Sequence, residues 1–507
     1  MFAEQDINAA LINLLVKKGI LTADDVASLK REVSQQATMS APASTSAPIA
    51  AAPTQNSENA RDASKVVVDR RDGASPLSFS IGSADFTPFG FVDMMGVYRS
   101  TDVGSGISTN FSGIPYSNTN AGRLSETRFS AQNSRLGLRV DSTVNDAKVL
   151  GYVETDFLGN AANTLNVTSN AATLRMRLYF ADIKRDNWEF LAGQAWSLMT
   201  PDRTGIAVVP GDLFYTMDTD IAYQAGLVWA RQPQVRLVYH AGGGLTAGLS
   251  LENPDQYIGG ANGAAAVTLP SGFNTAEIDN GTATTSPNRA PDVVAKVAYD
   301  TKVGGLPWHA EVAGVYRSFE INTYTGGLSP QSHNDFASGT GGSFNFDLGV
   351  AKDLSLVGTA YVSDGGGRYI FGQSPDFVVN PLNSSGAYTI STLKSQSYIA
   401  GLEWKAAEKT MLYGYASTVE IGRQYDALTG GGFVGYGYSG SPSSQNKTIN
   451  ELTLGTTQTL WKDKNHGALQ LLGQLSYLER IPWFVAPGAP SKADATMLFL
   501  DLRYIFP

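Results

Sequence analysis

The sequence predicts an all-β fold, a closed transmembrane barrel of about 16 antiparallel strands preceded by a short helical segment and a linker. Three observations predict it: sparse charge with abundant Gly and aromatics, period-two alternation over most of the chain, and regular alternation of long and short gaps between strand-like runs. Charged residues make up 16% of 507, against roughly 25% in ordinary soluble domains. The 53 Gly and the 10% aromatic content suit a wall that packs tightly and carries aromatic girdles at the lipid boundary. Hydrophobic content is an ordinary 42%, and no apolar run approaches the roughly 18 residues of a helical span. A membrane crossing must therefore be made by strands.

Residues 1–36 read as helical. Ile7, Leu11, Leu14 and Leu15 recur at helical spacing, Gly19 is placed to end the helix, and Thr22 with Asp25 opens a second one carrying Val26, Leu29 and Val33. So short a pair cannot bury much by itself. It reads as an oligomerising coil, a small hairpin that binds something in the periplasm, or a frayed appendage. Residues 37–85 turn to Ala, Pro and Ser, as in Ala41-Pro42-Ala43-Ser44, a linker without the apolar content to fold. The start, Met1 to Ala10, lacks the basic and apolar regions of a signal peptide, so a mature or trimmed form is expected.

The barrel itself is expected over residues 86–507. Alternation places strands at 87–99, 126–140, 147–158, 172–184, 188–197, 233–241, 245–252 and 291–300. It continues at 308–319, 342–351, 354–363, 394–405, 410–421, 448–461, 467–480 and 493–506. Long gaps (100–125, 159–171, 198–232, 253–290, 320–341, 364–393, 422–447) alternate with short ones such as 141–146, 185–187 and 242–244. That asymmetry belongs to outer-membrane barrels, and a soluble sandwich has no reason to keep it. The last run agrees, because Leu498, Leu500, Leu502, Tyr504 and Phe506 share one face while Asp501 and Arg503 occupy the other. A cell outer-membrane location follows, with the leading segment in the periplasm and membrane lipid as the outer partner.

Strand parity also predicts the lumen. Leu136, Leu138 and Val140 should face lipid, and so should Leu174, Met176, Leu178 and Phe180. Arg135, Arg139, Glu154, Asp156, Arg175, Arg177, Tyr179 and Arg236 then point inward as pore-lining residues. Glu252, Glu311, Arg317, Glu403, Lys405, Gln474 and Arg480 fall on the same parity. Two readings of the arginines stand side by side: ion pairs that hold the wall closed, and exposed cations that attract anions. The gap 198–232 contains an apolar strand-like piece, Ile221 to Trp229. By analogy with other 16-stranded barrels it folds inward as a constriction loop, bringing Asp202, Arg203, Asp212, Tyr215, Asp218 and Asp220 opposite the arginines. Opposed charges across a narrow gap would orient dipolar solutes. The alternative keeps the segment at the surface or against a neighbouring subunit. Small residues at Ser130, Ala131, Gly137 and Gly151 suit contact with a second copy.

The segments Asn133-Ser134-Arg135-Leu136-Gly137-Leu138-Arg139, Gly151-Tyr152-Val153-Glu154-Thr155-Asp156-Phe157, Leu174-Arg175-Met176-Arg177-Leu178 and Gly193-Gln194-Ala195-Trp196-Ser197 resemble the second to fifth strands of DcaP-like porins. The likeness covers roughly residues 87–240. It implies a homotrimeric 16-stranded porin with a periplasmic coil and a preference for small organic acids. On that resemblance the four inward arginines are pore-wall cations, with Glu154 and Asp156 as their partners.

Other chemistry is set aside. There is no Cys, so disulfides and thiolate sites are excluded. Gly430, Gly432 and Gly435 match G-x-G-x-x-G, but no helix follows them. His240, His309, His333 and His466 lack the paired spacing of a metal site. Neither a cofactor motif nor a nucleophile constellation is found, and a net charge of −9 argues against nucleic acid as a partner. The chain reads as a passive channel for small hydrophilic or anionic solutes and not as an enzyme. The rival reading is a structural or adhesive barrel whose function lies in its long loops.

Overall fold

Among the described residues, sixteen strands close into one antiparallel barrel. In the computed structural model the described residues are 75–159, 172–209, 215–216, 223–259, 266–279, 287–326 and 330–507. The expected helices of residues 1–36 lie outside them, as does most of the linker. The first strands are β1 (Ala84–Arg99), β2 (Glu126–Ser130 and Arg135–Val144), β3 (Ala147–Gly159), β4 (Thr173–Arg185) and β5 (Trp188–Trp196). Then come β6 (Arg231–Gly242), β7 (Leu245–Glu252), β8 (Asp292–Val303), β9 (Leu306–Thr325), β10 (Gln331–Ala351) and β11 (Leu354–Asp364). The wall ends with β12 (Lys394–Ala407), β13 (Thr410–Ile421), β14 (Asn446–Asp463), β15 (Gly467–Pro482) and β16 (Ala493–Ile505). Closure is made by β1, which pairs with β16 from Phe91↔Ile505 to Arg99↔Met497 and with both parts of β2 on its other edge.

The tight turns share one rim and carry residues that accept left-handed backbone. Asn145 and Asp146 both have positive φ (47° and 65°), as do Gly304 and Gly305 (59° and 86°), the combination that matches hairpin twist. At the same time β16 separates two solvents residue by residue. Met497, Phe499 and Asp501 are buried inside, whereas Leu498, Leu500 and Leu502 are exposed on the outer wall. An apolar outside around an interior that buries Asp93, Glu154, Lys296, Glu311 and Arg317 among its apolar side chains is the inside-out pattern of a barrel in lipid.

The structure corrects three sequence-based elements. The second strand is interrupted at Ala131–Ser134, where Asn133 Nδ2 donates to Asp93 (2.8 Å) and the Asp93 amide donates to Ser134 Oγ (3.1 Å). Residues 320–341 are mostly strand, because β9 and β10 continue past the wall as a hairpin whose Phe319 and Ile321 pack into the loop core. The strand-like piece expected at 221–229 is, in its described part, a turn with one isolated bridge, Val228↔Ile370.

At the long-loop end the connections pack on one another. Phe111 and Ile114 from the β1–β2 loop, Ile258 from the β7–β8 loop, Tyr369 and Phe377 from the β11–β12 loop and Tyr436 from the β13–β14 loop join one buried cluster. Arg317 on β9 anchors this cap. Its guanidinium reaches Asp292 (3.0 Å) and, in the β11–β12 loop, Asp376 (2.6 Å).

Candidate functional site in the barrel lumen

Two faces meet inside the barrel, an arginine-bearing wall on β1–β4 and the β5–β6 loop folded against the opposite side. On the first, Asp156 of β3 accepts two hydrogen bonds from Arg175 of β4 (3.0 and 2.5 Å) and one from Arg177 (2.9 Å), while Glu154 accepts from Arg177 Nε (2.6 Å). Fork-to-carboxylate geometry makes these strong contacts. Their exposure differs: the Arg177 side chain is 1% exposed and that of Arg175 30%. Arg139 forms a two-point pair with Asp141 of its own strand (2.6 and 2.7 Å) and borders a cavity of about 500 Å³. Arg135 makes no ion pair with the described residues. Its guanidinium lies 5.3 Å from the centre of the Phe91 ring, which Arg503 also approaches at 4.2 Å.

A β-bulge decides how β4 presents this set. The register steps from Glu154↔Leu178 to Thr155↔Met176, leaving Arg177 as the extra residue. Inward parity therefore changes: Arg175 and Arg177 lie inside, and so do Leu178 and Phe180, which were expected to face lipid. Tyr179, expected in the pore, falls on the outward parity with exposed Ile183. Phe180 instead completes a stack of rings with Tyr152 and Phe89, with centroids 5.2 and 5.0 Å apart. That Phe89 ring fills the space beside Gly137, where an added Cβ would meet it at 2.1 Å. Gly137 thus faces inward, and Ser130 sits opposite buried Met95. Neither thins the outer wall for a neighbour.

The β5–β6 loop runs along the inner wall, held largely by wall carboxylates that accept its backbone N–H groups. Leu198 N donates to Glu252 (3.0 Å), Asp202 N to Glu311 (3.2 Å), Gly205 N to Asp300 (2.9 Å) and Ala225 N to Glu451 (2.7 Å). Asp202 is not taken by the arginines of β2 and β4. It is buried in an ion pair with Lys296 of β8 (3.0 Å), and Arg236 is close enough for its charge to act on it as well. Arg203 pairs with Asp347 of β10 (3.0 Å) and Glu403 of β12 (2.7 Å) and stands 5.0 Å over the Tyr215 ring. Burial works against the Arg203 charge, but the hydrogen bond and charge of Glu403 outweigh it and raise its pKa above the ordinary value. Tyr215 N donates to the Tyr415 hydroxyl (2.9 Å). Asp212, Asp218 and Asp220 lie outside the described residues.

Gly226 lets the loop touch the wall. At φ +80°, an added Cβ would stand 2.8 Å from Ser397 Cβ, and its carbonyl accepts from Ser397 Oγ (2.7 Å). Arg236 is buried beneath the loop, with Val208 O 3.5 Å away. Glu252, Glu311, Arg317, Glu403, Gln474 and Arg480 are buried on the inner side, whereas Lys405 is exposed near its turn. Sequence parity located these carboxylates without revealing that they hold a loop. Inward Glu and Asp spread around the wall, together with one very long gap, were the only signal available.

No family model matches the chain, and no curated protein matches it. Solved structures do. The outer-membrane channel DcaP of Acinetobacter baumannii superposes with a TM-score of 0.57 at 18% identity, covering 84% of this chain and 98% of that one. An anion-selective porin from Comamonas acidovorans gives 0.45 at 14% identity, covering 83% of this chain and all (100%) of that one. OprB of Pseudomonas putida gives 0.45 at 13% identity, with coverages of 83% and 94%. With its strand order, its turn rim and its inward-folded loop in place, the chain has the fold of the DcaP outer-membrane channel.

Proposed function

We propose that the chain is an outer-membrane porin, a passive water-filled channel for small hydrophilic solutes that prefers small anions and organic acids. The observation that carries the preference is Arg135, an inward guanidinium over Phe91 with no carboxylate paired to it among the described residues. Arg175 beside it keeps part of its surface in solvent. A guanidinium stays charged at any physiological pH and grips carboxylates through paired hydrogen bonds. Homotrimers are the assembly we infer, with residues 1–36 in the periplasm. Reversal potentials in a salt gradient test the reading: anion preference in the wild type, reduced in Arg135→Ala, supports it, and cation preference in the wild type overturns it. The packed loop cap favours a second reading, a structural or adhesive barrel. Absence of any conductance from correctly folded protein in planar bilayers would select that one.

A further inference from the structure

On the outer wall, β11 to β14 carry two cavities, one above the other. The lower, of about 710 Å³, is floored by Ala400, Gly414 and Ala416 and walled by Leu402, Leu452 and Leu454. The upper, of about 690 Å³, lies towards the long loops and is bounded by Lys394, Gln396, Glu420, Lys447 and Trp483. Register ties them together: Gln396↔Glu420 and Ala400↔Ala416 are rungs of one β12–β13 ladder. Four residues separate these rungs, about 13 Å along the strand. The row between them, Tyr398 and the hydrogen-bonded Thr418 and Asn450 (2.7 Å), marks the change from apolar to polar wall.

The upper cavity is cationic. Lys394 and Lys447 on its lining, and Arg423 beside it over the Trp483 ring, make no ion pair among the described residues, and the single carboxylate on the lining, Glu420, is engaged by the Gln396 amide (2.6 Å). Trp483 is fixed by its Nε1, which donates to Ile421 O (3.0 Å) and Gly422 O (3.2 Å). Lys447 and Arg423 stand 5.4 and 5.5 Å from the centre of its ring. A site that pairs cations at the interface with an apolar groove at membrane depth matches an amphiphile with a negative head.

We propose that this face binds a phosphorylated lipid of the outer leaflet, its phosphate among Lys394, Lys447 and Arg423 and an acyl chain in the groove over Gly414. The proposal rests on the barrel's position in a membrane and not on what the pore conducts. The test uses full-chain protein, delipidated in detergent, with bisphosphorylated lipid A or its dephosphorylated form added and adducts counted by native mass spectrometry. Lipid A is expected to bind, and the double variant Lys394→Gln, Lys447→Gln should weaken it by roughly tenfold or more. Dephosphorylated lipid A should bind the wild type no better than lipid A binds that variant. Ala416→Phe, which fills the groove, should also weaken lipid A binding, while conductance and reversal potential stay unchanged in all variants. Equal binding of the two lipids, or retention unaltered in both variants, overturns the proposal. So does a loss of oligomer mass in the variants, which would assign this face to contact between copies.

Discussion

Arg135 and Arg177 are both inward arginines, on the two strands that flank β3, yet their surroundings differ. Arg177 is closed in by Glu154 and Asp156, so removing it leaves two carboxylates in the wall with one guanidinium between them. Truncating one member of a buried ion pair costs about 3–5 kcal/mol. Arg177→Ala is therefore expected to lower the denaturant midpoint of the folded barrel clearly, measured by the loss of its compact gel mobility. Arg135 lies over the Phe91 ring with no carboxylate paired to it among the described residues, so Arg135→Ala should leave that midpoint in place while moving the reversal potential towards zero. A selectivity unchanged in Arg135→Ala would make this arginine a packing residue alone.

At the scale of elements, the β5–β6 loop and the β4 bulge set the shape of the lumen. The loop is held by wall carboxylates and by the bridge from Arg203 to Glu403 and Asp347. Hydrogen bonds to charged groups contribute about 1.5–3 kcal/mol each. Arg203→Ala should thus loosen the loop, raise single-channel conductance and speed proteolytic cleavage within residues 204–223. Gly226→Ala acts by another route, since it strains a left-handed backbone by about 1–2 kcal/mol and pushes a methyl against Ser397. The same increase in cleavage is expected there without any change of charge. Conductance and cleavage at wild-type levels in both variants would show that the tethers are not what holds the loop inward.

For the whole molecule, the described residues narrow the barrel lumen from two directions, by the loop inside and by the folded cap at the long-loop rim. The hairpin Phe377–Asn380 with Thr389–Thr392 is central to that cap: Phe377 packs 4.9 Å from Phe319, and Asp376 beside it holds Arg317. Replacing residues 377–392 by a short Gly-Ser connection should therefore widen the mouth. Higher conductance with unchanged ion preference is expected in planar bilayers, because the arginine wall lies below the cap. A shift in preference with no gain in conductance would place selectivity in the loops instead.

The sequence by itself determined where most wall strands lie, their number and the rim on which the turns lie. Alternation at Leu498, Leu500 and Leu502 against Phe499 and Asp501 is a local property, and a lipid solvent outside enforces it at outward positions of membrane depth. Arg135, Arg175, Arg177, Glu154 and Asp156 were legible as inward for the same reason. Tyr179 was misplaced because a bulge leaves no mark in the alternation until a partner strand sets the register. Asp202 was placed opposite the arginines, whereas Lys296, distant in sequence, took it. Which charges remain open to water was decided only by tertiary structure, since a carboxylate is neutralised by whatever cation the closed barrel brings within about 3–4 Å, and strand spacing along the chain does not encode that distance.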